Sequence, residues 1–95
     1  MRLNDQIIGF LKQAFGEKNP EAKLYLFGSR VNDNALGGDI DLMILTPTPI
    51  DKKRIRAIRI EFYKRFGWQK IDLVNFTYSD SSVFKQLIQS EAIKL

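Results

Sequence analysis

Two aspartates separated by one residue, Asp39 and Asp41, stand at the start of an apolar segment that ends at Leu45. The segment has the composition of a β-strand, in which residues two apart point to the same face and lie roughly 6.6 Å apart. Two carboxylates at that distance repel by about 2 kcal/mol at a surface-like effective dielectric, and by more if water is excluded. The spacing therefore indicates a site that holds a cation between two carboxylates.

The residue types that the chain lacks narrow the choice of cation. The sequence contains no histidine and no cysteine, so a metal must be bound by oxygen atoms, which favours Mg²⁺ or Mn²⁺ over Zn²⁺. The same absence excludes a thiol nucleophile, a Ser-His-Asp triad and a histidine general base. Carboxylates remain as the natural metal ligands or bases.

A second feature, Gly28-Ser29, follows the apolar segment that ends at Phe27. Where a strand turns into a helix, backbone N–H groups are available and favour a phosphate. A phosphate-binding turn beside paired carboxylates indicates metal-assisted chemistry on a nucleotide.

The elements that position these residues follow from periodicity and breakers. Apolar residues at helical spacing predict a helix from Leu3 to Phe15, which Gly16 and Pro20 end. The remaining predicted elements are a strand over Ala22–Phe27, a short helical turn, a loop over 31–38, a strand over Asp39–Leu45, a helix from Thr48 or Asp51 to Phe66, a strand over Lys70–Phe76 and a last helix capped within 79–82. Three strands with helices packed over them define an α/β or α+β domain, in which the pattern alone assigns no strand pairing.

The third strand carries a single acid, Asp72, among apolar residues. Alternation places Ile71 and Leu73 on one face and Asp72 on the other. In the neighbouring helices we expect the following features: a buried stripe of Ile55, Ile58, Phe62 and Phe66, a left-handed Gly67, Trp68 folded back on Phe62 or Tyr63, and an apolar side of Val83, Phe84, Leu87 and Ile88 in the last helix.

Taken together, Gly28-Ser29-Arg30, Asp39-Ile-Asp41 and Asp72 resemble the motifs of the polymerase-β-like nucleotidyltransferase superfamily. The small size is similar to that of its minimal branch, the MNT proteins, and the resemblance covers essentially the whole chain. It implies one domain over residues 1–95, with helices packed on a three-stranded mixed sheet.

The resemblance also implies a reaction and the residues that carry it. Asp39 and Asp41 would be catalytic metal ligands, and Asp72 would be the third ligand or a base. Gly28 and Ser29 would hold the phosphates of a nucleoside triphosphate, with Arg30 as a phosphate or structural contact. A nucleoside monophosphate, AMP from ATP, is transferred and pyrophosphate leaves.

Minimal members of the family often form toxin–antitoxin pairs with a helical HEPN-domain protein and adenylylate one of its tyrosines. The resemblance therefore implies such a partner. Two positions depart from the family pattern: Gly38 stands where serine is frequent, and Glu91-Ala92 stands where Glu-Gly is frequent.

Simpler interpretations of the same residues remain open. Gly28-Ser29-Arg30 alone is an ordinary turn, the two aspartates suit a solvated strand end, and Asp72 suits an ion pair. The basic helix, in which Lys52, Arg56 and Arg59 share one side, is typical of a solvated face, or alternatively of a docking face for an acidic partner or nucleic acid. A second function is accordingly a non-catalytic antitoxin that neutralises its partner by binding, with homo-oligomers also open.

Composition sets the remaining bounds. The 95 residues carry a net charge of +4 and a pI near 9.5, which suits a nucleotide, a nucleic acid or an acidic partner without choosing among them. No apolar run reaches the length of a membrane span, and the amino terminus lacks a signal-peptide core. We expect a cytoplasmic protein.

Overall fold

The computed structural model describes residues 5–27, 40–67 and 69–95. The described chain folds, in order, as α1 (Asp5–Gly16), β1 (Lys23–Phe27), β2 (Ile40–Thr46), α2 (Lys52–Arg65), β3 (Ile71–Thr77), α3 (Val83–Glu91) and β4 (Ile93–Lys94). The predicted fold class, helices packed on a mixed sheet, is confirmed. The sheet has four strands rather than the predicted three, because the two-residue β4 is too short to show an alternating pattern.

The strands lie in the order β3-β2-β1-β4. Strand β1 runs antiparallel to both β2 and β4, and its interior position agrees with its apolar residues on both faces. Strands β2 and β3 run parallel, so the chain must cross over between them, and α2 forms that connection. The crossover brings the amino ends of β2 and β3 to the same end of the sheet.

The two faces of the sheet have separate apolar cores. Helices α1 and α2 cover one face, where Leu11 and Phe62 pack with Ile40, Leu42 and other side chains from the strands. Helix α3 covers the other face, where Ile88 packs with Met43 and Leu45. The buried stripe predicted for the helix that follows β2 is confirmed, with Ile55 only partly buried.

Polar residues fix the helix ends. The side chain of Asp51 accepts a hydrogen bond from the backbone N–H of Lys53 and caps α2, so Asp51 rather than Thr48 begins that helix. Ser82 caps α3 by accepting from the N–H of Lys85. The carboxylate of Asp80 in turn accepts from the N–H of Ser82 at 2.7 Å, and this bond lowers the pKa of Asp80.

The prediction of a left-handed Gly67 is wrong, because its φ lies outside the positive range. The backbone N–H of Phe66 already bonds the carbonyl of Phe62 at 2.7 Å and closes the helix without a left-handed residue. Glycine suits this position for a different reason: a Cβ would lie 3.0 Å from the carbonyl oxygen of Tyr63. The predicted contact of Trp68 and the predicted helical turns at Leu3 fall outside the described residues.

The apolar side predicted for α3 is wrong at Val83, Phe84 and Leu87 and confirmed at Ile88. Val83, Phe84 and Leu87 are 70%, 55% and 62% exposed. Ile88 and Lys85 face the sheet, because residues three apart lie on one side of a helix. The ammonium of Lys85 is buried yet fully hydrogen-bonded, since it donates to the carbonyls of Thr77, Tyr78 and Asp80 at 2.9–3.0 Å.

In the part of the chain that the structure describes, every helix is too short or too polar to cross a bilayer.

Candidate active site

Asp41 and Asp72 lie side by side on neighbouring parallel strands. They are register partners in the β2–β3 ladder, each the second residue of its strand. Adjacent strands are about 4.8 Å apart and directly paired residues point to the same face, so the two carboxylates leave the sheet together. Asp41 is half-buried and Asp72 is exposed. Residues that are 31 positions apart in the numbering thus form one acidic position at the amino ends of two strands.

The other predicted site residues lie outside the described ranges. Gly28, Ser29, Arg30 and Asp39 all belong to the segment 28–39, and the structure assigns them no position here. The described residues on either side of that segment do lie at this end of the sheet. Phe27 pairs with Asp41, and Ile40 pairs with Ile71. The segment therefore leaves from and returns to the strand ends that carry the two carboxylates.

The acidic position lies on the sheet face that α3 covers. Alternation puts Asp41 on the face of Met43 and Leu45, and puts Asp72 on the face of Val74 and Phe76. The opposite face of the same strands carries Ile40, Leu42 and Ile71, which belong to the core under α1 and α2. The two faces predicted from the alternation along β2 and β3 are confirmed.

The donor set fits a hard divalent cation. Two unit negative charges about 4.8 Å apart repel by about 3 kcal/mol near a protein surface. A cation between them attracts both carboxylates and offsets this repulsion. Carboxylate oxygens are the ligands that Mg²⁺ and Mn²⁺ prefer. Within residues 5–27, 40–67 and 69–95 no group of three acidic side chains could hold a metal alone, and Asp39, the predicted third acid, lies outside those ranges.

Asn75 fixes the register that brings the two aspartates together. Its Nδ2 donates to the carbonyl of Ile44 at 2.9 Å and to Oγ1 of Thr46 at 3.1 Å, both on β2. Its Oδ1 accepts from the backbone N–H of Ile50 at 2.8 Å, just before α2. No role was predicted for Asn75, although an amide in a largely apolar strand indicates a hydrogen-bonding position.

With this geometry described, comparison with known proteins identifies the class. The family model of the nucleotidyltransferase domain matches residues 6–95. The chain belongs to this family, and the enzyme class predicted from the sequence, a nucleotidyltransferase, is confirmed. A search of curated proteins gave no match.

Several solved structures share the fold over nearly the whole chain. A mutant of the toxin–antitoxin complex MntA-HpeT with two aspartate-to-glutamate changes matches with a TM-score of 0.71 and 20% identity, over 97% of this chain and 71% of that one. A complex of the tri-AMPylated Shewanella oneidensis HEPN toxin with its MNT antitoxin gives 0.66 and 23%, over 95% and 66%. A toxin–antitoxin structure with AMP-PNP gives 0.71 and 20%, over 90% and 69%. The predicted polymerase-β-like fold and its resemblance to MNT proteins are confirmed.

Proposed function

We propose that this domain transfers AMP from ATP to a hydroxyl group of a protein partner. The single observation that carries the proposal is the register of Asp41 with Asp72. Two carboxylates from separate strands, directed to one face beside the ends of β1 and β2, are the acidic part of the motif set that a metal-dependent nucleotidyltransferase requires. Membership of the nucleotidyltransferase domain family supports the same reaction.

Each predicted residue has a role in this proposal. Asp39, Asp41 and Asp72 hold Mg²⁺ or Mn²⁺, which when bound neutralises charge on the phosphates and on the leaving pyrophosphate. Gly28 and Ser29 cradle the phosphates through backbone N–H groups, and Arg30 adds a positive charge. Half-burial of Asp41 suits a fixed ligand, whereas the exposure of Asp72 leaves it reachable from solvent by an incoming acceptor.

The chemical step is an in-line displacement at the α-phosphorus of ATP. The acceptor hydroxyl oxygen forms a bond to that phosphorus, and the bond from the phosphorus to the oxygen bridging the α- and β-phosphates breaks. Pyrophosphate leaves with that bonding electron pair. Asp72 accepts the proton of the acceptor hydroxyl as the new bond forms, which is the role of a general base.

We propose a tyrosine of a helical HEPN-domain toxin as the acceptor, with this domain as the antitoxin and the cytoplasm as the place of reaction. The support comes from the similar structures: one contains an AMPylated HEPN toxin bound to an MNT antitoxin, and another contains AMP-PNP. ATP is then the substrate and Mg²⁺ the metal.

The test uses the purified domain, α-³²P-labelled ATP, Mg²⁺ and a purified HEPN-domain protein of the same organism as the partner. We expect labelled partner with the natural domain, and loss of label with Asp41→Asn or Asp72→Asn. Glu21→Gln is the matched control, because Glu21 is exposed and precedes β1, whose first residue pairs with Leu45 at the end of β2 opposite to Asp41. Undiminished labelling by both site variants would overturn the proposal.

The same variants separate the alternative function. A non-catalytic antitoxin would bind and neutralise the toxin equally well after Asp41→Asn and Asp72→Asn, with no label transferred by the natural domain. Toxin activity measured alongside labelling therefore distinguishes neutralisation by modification from neutralisation by contact.

A further inference from the structure

The outer edge of β3 is open in the described part of the chain. The sheet order ends at β3, which pairs there with β2 alone. The carbonyl of Lys70 accepts from the N–H of Ile40 at 2.9 Å, and the N–H of Tyr78 donates to the carbonyl of Thr46 at 3.1 Å. Within residues 70–78, the even-numbered residues therefore direct their backbone N–H and C=O groups toward β2. The backbone groups of Ile71, Leu73 and Asn75, which alternate with them, point outward from the sheet edge.

A basic groove runs beside this edge, on the face of the sheet that α2 covers. Its volume is about 440 Å³, and Leu73 and Asn75 form its β3 side. Lys52, Arg56 and Arg59 contribute three cations from α2, and none of the described residues that line the groove is acidic. The cations span roughly 10 Å along the helix, which is comparable to the ~13 Å that separates Ile71 from Asn75 along β3.

On the sheet face that α3 covers, the carboxyl end of β3 is apolar. The ring of Phe84 on α3 meets the ring of Phe76 on β3 edge to face, with centroids 5.9 Å apart. Phe84 nevertheless remains 55% exposed, and its neighbour Val83 remains 70% exposed. Asp72 lies on this face of β3, near the start of the strand.

We infer that an extended, acidic segment of the protein partner binds as an added strand along the outer edge of β3. Its backbone pairs with the outward groups of Ile71, Leu73 and Asn75. Successive side chains of a strand alternate between faces. Acidic side chains therefore enter the α2 groove, and the residues between them, apolar ones and the acceptor, lie on the face of Phe84 and Asp72.

Charge and geometry favour this occupant. The groove holds three cations and, among its described lining residues, no anion, which selects against basic and neutral segments. An open strand edge supplies main-chain hydrogen bonds to an extended peptide, while alternate side chains give specificity. The inference rests on the proposed function in one respect: it explains how the acceptor hydroxyl arrives beside Asp72.

The first test uses a synthetic probe, a fluorescein-labelled octapeptide that alternates glutamate with valine and carries one tyrosine in place of a valine. Binding is followed by fluorescence anisotropy without ATP. We expect saturable binding, and at least tenfold weaker binding of an isomer with the glutamates grouped together, which cannot place them all on one face.

Backbone methylation tests the pairing itself. In one version of the probe the amide nitrogens of alternate residues are methylated, and in the other version those of the remaining residues. Only one set of amides faces β3 in an added strand, so we expect one version to lose binding and the other to retain it. Equal effects of the two versions would overturn strand addition.

Charge reversal tests the groove. We expect Arg56→Glu combined with Arg59→Glu to weaken probe binding by about tenfold or more. The matched control is Lys53→Glu combined with Lys64→Glu, which makes the same charge change at exposed positions of α2 outside the groove lining. Equal loss in both double variants would reduce the effect to net charge and overturn the inference.

Three further outcomes are decisive. Binding of single-stranded oligouridylate that Arg56→Glu and Arg59→Glu abolish, with no binding of the octapeptide, would make the groove a nucleic-acid site and overturn the inference. The double variant Arg56→Glu with Arg59→Glu could fail to bind the probe and still transfer label to the partner protein. That result would overturn the inference and leave the proposed reaction intact. Probe binding by a natural domain that transfers no label would support strand addition and count against the proposed reaction.

Discussion

Asn75 of β3 donates a hydrogen bond from Nδ2 to the backbone carbonyl of Ile44 on β2, at 2.9 Å. The bond crosses between parallel strands at the ends opposite to Asp41 and Asp72. Because a shift of one residue in register would separate the two aspartates and turn side chains to the wrong face, this amide helps to set the geometry of the candidate site from the far end of the strand.

Replacing Asn75 tests that role. We expect Asn75→Ala to lower the free energy of unfolding by about 2–3 kcal/mol, because it leaves the N–H of Ile50 without its side-chain acceptor and removes the hydrogen bonds that Nδ2 donates to β2. Urea denaturation followed by circular dichroism measures this. Gln86→Ala is the control, since that exposed amide donates only to the carbonyl of Ser81. Equal losses would assign Asn75 no special position.

Metal binding should stabilise the fold through the paired carboxylates. We expect Mg²⁺ or Mn²⁺ at millimolar concentration to raise the melting temperature of the natural domain, since a ligand of the folded state stabilises by mass action. The increase should shrink in Asp72→Asn, which removes one of the two adjacent oxygen donors, and persist in Glu21→Gln. Differential scanning fluorimetry without nucleotide measures it, and an unchanged increase in Asp72→Asn would count against the site.

Lys85 should be structural. We expect Lys85→Met to cost about 2 kcal/mol or more, because three hydrogen bonds from the ammonium to carbonyls at the turn after β3 are lost. Lys12→Met, at an exposed position of α1, should change stability by about 0.5 kcal/mol or less. Thermal unfolding of both variants decides the point, and a neutral Lys85→Met would show that these bonds contribute nothing net.

Two glycines should respond to alanine with opposite signs. Gly67→Ala should destabilise by about 1 kcal/mol or more, because the new Cβ would lie 3.0 Å from the carbonyl of Tyr63. Gly9→Ala meets nothing within 4 Å and lies inside α1, so it should stabilise by roughly 0.5–1 kcal/mol. Urea midpoints measure both, and a stabilising Gly67→Ala would contradict the close approach.

The hydrogen bond between Asp80 and Ser82 before α3 should make the free energy of unfolding depend on pH in the acidic range. The pKa of Asp80 is lowered from 3.8, first by the backbone hydrogen bond from Ser82. A depressed folded-state pKa stabilises above the unfolded-state value, and that stability is lost as the pH falls through the folded-state value. Asp80→Asn should therefore be less stable than the natural domain at neutral pH, and the difference should vanish as the pH falls below the folded-state pKa. Urea unfolding at several pH values checks the convergence.

Alternation and helical periodicity were sufficient to predict the faces of β2 and β3 and the buried stripe of α2. Both patterns arise because one side of each element is buried against a continuous core. The same reasoning placed Asp41 and Asp72 on strands with the correct orientation. It could not place them in register, because pairing direction depends on contacts between residues distant in sequence.

The incorrect predictions have physical reasons as well. Helix α3 carries Val83, Phe84, Leu87 and Ile88 within one arc of its circumference, yet only Ile88, at the edge of that arc, faces the sheet. Its N-cap and the hydrogen-bonded ammonium of Lys85 accompany burial of the side that holds Ile88. Strand β4 has two residues and pairs only with β1, which leaves too little sequence for any period.

Strand β3 carries its hydrogen-bonded amide near one end and its acid near the other, with two residues between them. Folding and chemistry thus depend on different side chains of a single short strand. Exchanging the acid for its amide requires one nucleotide change in the codon and leaves the register bonds of Asn75 untouched. An ancestral gene could therefore lose transfer activity in one mutational step while its product remained folded and competent to bind, so catalytically silent descendants are readily accessible to evolution.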